Sequence, residues 1–223
     1  MSLTQTPAPA RSDLAVAPVT ATAAPAAPAA TAADGRPAHP YRLHGTLLTA
    51  GALSWSAAIA TLGLDGESLA HQYVHNATAF LFQLGVLALL RVLWLTRAIG
   101  AGRLAPTLMR IEAGFLVLAM ASTTSDFLGL TDLDNPASLM LDLFWPISML
   151  GMFLIGIRIA VAGRWTGLSR FWPMVAESWA VVTVPTMAVL GQDTARWVGA
   201  LHLVLGYAVL GRIVARKQER AEA

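Results

Sequence analysis

An aspartate and, four positions later, a proline stand near the start of the apolar stretch LDLFWPISMLGMFLIGI, residues 141–157. Proline has no N–H, so Pro146 leaves the carbonyl of Asp142 without its intrahelical donor. The pair offers a free backbone acceptor and a carboxyl group at one level of a helix. An ionised carboxylate facing lipid is costly, so this side chain should turn into a bundle or carry a proton. Such a polar notch is one reading of the pair. The other is a simple kink at Pro146, with Asp142 about one turn inside the boundary and wetted by headgroups.

Further polar groups recur on the apolar runs around it. Glu112, Ala119, Thr123 and Asp126 share one helical face, with Ser122 beside them. Glu112 and Asp126 would stand about 21 Å apart at 1.5 Å per residue. The hydroxyls also suit plain packing, since Ser and Thr bond their own helix and let neighbours approach. Ala195, Gly199, His202 and Gly206 repeat on one face of the last run, which predicts a close helix contact with His202 inside it. That histidine serves either as a satisfied structural residue or as a ligand or proton relay. His71 and His75, at i and i+4, can share one metal ion, with Asn76 and the deeper Gln83 following. They lack the acidic residue of the zincin pattern between them, and solvated boundary histidines are the plainer account. By topology His71, His75, Asp126, Asp142 and His202 all fall in the outer third of their helices and form the candidate metal set; no particular cofactor is indicated. Glu112 and Glu177 lie toward the other side with Arg91, Arg110 and Arg158, where carboxylate–arginine pairing is expected to lock helices together. The proton-relay candidates are therefore Asp142, Pro146, Asp126, His202, Glu112 and Glu177.

These residues need a scaffold, and composition says which. The chain has 223 residues, 56% hydrophobic and 13% charged, with mean hydropathy +0.58. Soluble domains carry roughly a quarter charged residues, so this is the composition of a membrane protein. From Leu43 onward, apolar runs cover 43–64, 77–95, 108–128, 138–161, 171–190 and 197–214. Each is about the length an α-helix needs to cross a bilayer. The expected fold is all-α: a polytopic bundle of six transmembrane helices over 41–214, with short loops joining antiparallel neighbours. Residues 1–40, rich in Ala, Pro and Thr, have no periodic apolar face and read as a disordered tail. They lack the basic start and apolar block of a signal peptide. Residues 215–223 read as a short charged tail.

Orientation follows from the arginines. Arg11, Arg36 and Arg42 precede the first run, Arg97 and Arg103 follow the second, Arg164 and Arg170 follow the fourth, and Arg212, Arg216, Lys217 and Arg220 close the chain. The alternate loops carry Asp65, Glu67, Asp132, Asp134 and Asp193 against Arg196 alone. Both termini are therefore expected in the cytoplasm. Arginine dominates so strongly, with Lys217 the only lysine, that a GC-rich bacterial genome and its inner membrane are the expected setting. The segments AGRLAPTLMRIE (101–112) and AGRWTGLSRFWPMVAE (162–177) both run Ala-Gly-Arg, a second Arg, then a glutamate. Related hairpins would explain this, as would the ordinary demand of inner loops for Gly and Arg. Trp94, Trp165, Trp172 and Trp197 are placed as an interfacial belt. Thr46, Ala50, Ser54 and Ala58 are placed as the packed face of the first helix.

Several function classes are excluded. With no cysteine, disulfides, thiolate metal sites and cysteine nucleophiles are absent. The net charge of +2 is spread over short loops, which gives no nucleic-acid patch. Phosphate loops, nucleophile elbows and haem-attachment motifs are missing. Three readings stay open: a small-solute or proton-coupled transporter, a membrane metal- or haem-binding enzyme using the outer His and Asp residues, and a non-catalytic membrane partner or sensor subunit. The lipid bilayer is the expected partner, with a second copy or another membrane protein also compatible.

Overall fold

A chain in hydrocarbon must satisfy its own backbone, and only helices do so within one segment. The computed structural model describes residues 39–66, 68–132 and 134–217, and among these there is helix and connection but no strand. Six helices are long and apolar enough to cross a membrane: α1 (Arg42–Leu62), α2 (Leu69–Leu95), α3 (Leu104–Phe127), α4 (Pro136–Ala162), α5 (Leu168–Leu190) and α6 (Gln192–Ala215). The expected tails fall almost entirely in 1–38 and 218–223, outside the described residues. Caps lengthen some helices beyond the apolar runs. Ser68 accepts the His71 N–H at 3.1 Å and starts α2 well before Ala77. Asn135 accepts the Ala137 N–H at 2.9 Å, with Pro136 in the first turn, and starts α4.

Each helix packs on its neighbours in sequence, and α6 returns to α1 to close a ring. The direction alternates. At one end Trp165 donates to Thr96 at 3.0 Å, and the Lys217 ammonium lies 4.3 Å from the Trp165 ring centre. At the opposite end Gln72 reaches the Asp126 carbonyl at 2.6 Å, Gln192 bonds Asp65, and Arg196 bonds the Ala60 carbonyl. The arginine-bearing loops thus gather at one end.

The packed face of α1 is the expected one only in part. Ala58 is buried and Ser54 half-buried, but Thr46 and Ala50 are exposed, and Gly45, Leu48, Ala52, Trp55 and Ile59 are buried instead. Glycine makes the difference, because it lets backbones touch. A Cβ on Gly51 would stand 2.7 Å from the Phe82 Cα, and one on Gly85 2.7 Å from the Leu48 Cα. The aromatic belt is corrected too. Trp94 and Trp197 are exposed, but Trp165 is buried and Trp172 turns inward to bond α6.

The last three helices are each irregular. α4 is interrupted at Leu143, between Pro136–Asp142 and Phe144–Ala162. This is where Pro146 withholds a donor from Asp142. α5 is interrupted at Ser178, between Leu168–Glu177 and Trp179–Leu190. α6 widens into a π-turn over Leu203–Ala208. Only the first of these is expected from the sequence.

A polar core between interrupted helices

The π-turn of α6 is held by side chains of other helices. Trp179 donates to the Gly199 carbonyl at 2.9 Å, Ser56 to Ala200 at 2.8 Å, and Thr49 to Ala208 at 3.2 Å. Trp172 donates to the carbonyls of Leu205 and Gly206, both at 3.1 Å. In return His202 of α6 meets the carbonyls of Val175 and Ala176 at 2.9 and 3.3 Å, beside the break in α5. A carbonyl only accepts, so Nε2 carries the proton. His202 thus sits, hydrogen-bonded to α5, within the close helix contact of its face.

An extra residue in a helical turn rotates the residues beyond it by about 100° around the axis. Just past the middle of this turn stands Tyr207, only 2% exposed, whose hydroxyl donates to Glu177 Oε2 at 2.6 Å. Glu177 is itself the last residue before the α5 break. Across the core, Ser148 of α4 donates to Glu112 Oε1 at 2.7 Å. Glu112 Oε2 rests against Gly151, where any side chain would collide with it. Ser148, which holds Glu112, and Glu177 line the same cavity. Both glutamates of the repeated Ala-Gly-Arg segments thus enter one site.

Thr123 of α3 is the hub beside them. It donates to the Ala119 carbonyl at 3.1 Å and accepts from Gln83 Nε2 and Trp145 Nε1, each at 3.0 Å. Ser122 donates to Asp142 Oδ1 at 3.3 Å, although Asp142 itself is exposed rather than turned into the bundle. Trp55 stacks on Phe82 with ring centres 4.9 Å apart and touches Trp145 and Trp179 at 5.4 and 5.3 Å. Between these groups is a cavity of about 20 Å³, lined among others by Phe82, Gln83, Trp145, Ser148, Glu177 and Tyr207. That holds roughly one water. Gln83 Oε1 and Glu177 Oε1 are buried without a hydrogen-bond partner.

The other candidates lie elsewhere. His71 and His75 stack with ring centres 5.2 Å apart, and Trp55 Nε1 donates to His75 Nε2 at 3.4 Å. Asp126 is half-buried near the end of α3, and Pro146 is exposed. His71, His75, Asp126, Asp142 and His202 do not gather: among the described residues no group of three or more His, Asp or Glu could hold a metal. The expected arginine partners are also replaced. Glu112 and Glu177 turn inward to Ser148 and Tyr207, while Arg91, Arg110 and Arg158 are exposed. Arg110 is two positions from Glu112, about 200° around the helix, and lies 5.3 Å from the Trp94 ring centre. Ser148, Tyr207 and Trp145 join the site although nothing in their sequence spacing marks them for it. No family model, curated protein or solved structure matches this chain.

Proposed function

We propose that this is a multi-pass protein of the bacterial inner membrane, with both termini cytoplasmic, that moves a small solute in exchange for protons. The observation that carries this reading is the pair of carboxyl side chains in the bundle interior, Glu112 and Glu177, only 3% and 2% exposed and without an ion-pair partner among the described residues. Charge buried this way costs several kcal/mol unless it is compensated. A purely structural core would be served as well by apolar side chains. Glu177 is the exchanging group, Tyr207 orients it, and Glu112 with Ser148 forms a second station. The interruption at Ser178 gives the half-helix that carries Glu177, and that at Leu143 the half-helix that carries Ser148, a freedom to move that a continuous ladder of hydrogen bonds would deny. Broken helices at mid-bundle are how carriers expose a buried site to each side in turn.

The test is reconstitution in vesicles with an internal pH dye and an imposed pH gradient. A panel of small cations, amines and neutral solutes is added outside, with protein-free and Glu177→Gln vesicles alongside. At least one solute should move protons faster with the wild-type protein than with either control. Identical rates for every solute would overturn the reading.

A further inference from the structure

The geometry points to a water-sized cation bearing N–H donors, ammonium itself being the best fit, as the guest held between Glu177 Oε1 and Gln83 Oε1. This rests on the reading of Glu177 as the exchanging group and names the solute class.

Donors and acceptors around the cavity do not balance. The Tyr207 hydroxyl donates to Glu177 Oε2, the Ser148 hydroxyl to Glu112, and the Trp145 indole to Thr123. The Gln83 amide also donates to Thr123, and its orientation is fixed by chemistry. Thr123 has spent its one proton on the Ala119 carbonyl, so whatever else meets its oxygen must donate. Gln83 therefore turns N–H₂ to Thr123 and leaves its carbonyl oxygen over. Each side-chain donor atom named on the wall already has a partner, whereas the two atoms without one, Gln83 Oε1 and Glu177 Oε1, are oxygens that can accept. Both residues are 2% exposed. The unpartnered atoms thus call for a guest that donates.

Size, charge and lining narrow the guest. About 20 Å³ admits something the size of a water molecule and little more. Phe82, Trp145 and Tyr207 present aromatic rings to the same space, and ring faces attract cations. A metal ion would want about six oxygens in its shell, more than the two free acceptors supply. Of the titratable groups facing Glu177, α3 contributes Glu112 and α6 contributes Tyr207, while Gln83 of α2 and Ser148 of α4 are neutral. The charge of the site is thus negative or zero, never positive. Proton and guest then compete: protonated Glu177 plus ammonium gives the carboxylate–ammonium pair and one released proton. Atoms and charge balance, and the net charge of the buried site is the same in both states.

The test is equilibrium binding on the purified full-length protein in detergent, at fixed pH and fixed ionic strength. Ammonium chloride replaces sodium chloride while tryptophan emission, to which Trp145 contributes, is recorded together with proton release into weak buffer. The expected result is a saturable change with ammonium, a weaker one with methylammonium and none with tetramethylammonium, with protons released as ammonium binds. Glu177→Gln should raise the half-saturating concentration by about tenfold or more. Equal responses to ammonium and tetramethylammonium, or a response unchanged in Glu177→Gln, would overturn the proposal. If that variant does not fold, the wild-type size series decides alone. Binding without solute-linked proton movement in vesicles would refute the transport reading and uphold the site. Movement of another solute without ammonium binding would refute this inference only.

Discussion

Replacing Gly206 with alanine tests the contact that builds the site. A methyl group there would stand 2.9 Å from the Ala176 Cα and 3.2 Å from His202 Cδ2. Carbon atoms rest at about 3.5–4.0 Å, so α5 and α6 must separate by roughly 0.5–1 Å. That movement stretches the His202 bonds to Val175 and Ala176 and the Trp172 bonds to Leu205 and Gly206. Overpacking of this kind costs about 1–3 kcal/mol, and removing a helical glycine returns up to about 1 kcal/mol. The net loss is about 1–2 kcal/mol, roughly 5- to 30-fold in the unfolding equilibrium. Gly199→Ala is the intermediate case, because its methyl group would meet the Thr183 methyl at 3.1 Å, a side chain that can yield. Gly114 on α3 is the control: nothing lies within 4 Å, so Gly114→Ala should stabilise by up to about 1 kcal/mol. Denaturant titration in mixed micelles, followed by circular dichroism, measures all three. Leucine at Gly199 or Gly206 should destabilise more than alanine. A Gly206→Ala protein as stable as Gly114→Ala would refute the close α5–α6 contact and, with it, the placement of Tyr207 against Glu177.

Reporter fusions after Gly66 and Leu133 should read as external and those after Gly102 and Gly167 as cytoplasmic; one reversed reporter breaks the proposed topology. Deletion of residues 2–38 should leave insertion and thermal stability nearly unchanged, as measured by melting in detergent, and a large loss of folded protein would mean that this segment docks on the bundle. Asp142→Asn keeps an oxygen to accept from Ser122, so the melting temperature should hold while solute-linked proton movement falls; full activity would remove Asp142 from the path. Pro146→Ala returns a backbone N–H beside the Leu143 interruption, and should hold or raise stability while lowering the same flux.

The six spans could be read from the chain because apolarity and length act locally: about 20 apolar residues at 1.5 Å each cover a bilayer whatever lies beside them. The Gly199–His202–Gly206 face was legible for the same reason, since a 3.6-residue period is a property of one helix. Pro146 likewise announced the break near Asp142, because a missing N–H is covalent. The break at Ser178 and the π-turn at Leu203–Ala208 announced nothing. They persist because Trp172, Trp179, Ser56, Thr49 and His202 bond backbone groups of a different helix. The partners of the glutamates were hidden in the same way. Proximity in sequence and opposite charge suggested arginine, but Arg110 and Glu112 leave their helix in different directions. Sequence determined which residues are polar and roughly how deep each lies along its own helix. Only the packing decided which of them meet, because Glu177 finds Tyr207 and Gln83 finds Thr123 through the rotation and crossing of whole helices, and those are set by where glycine lets two backbones touch.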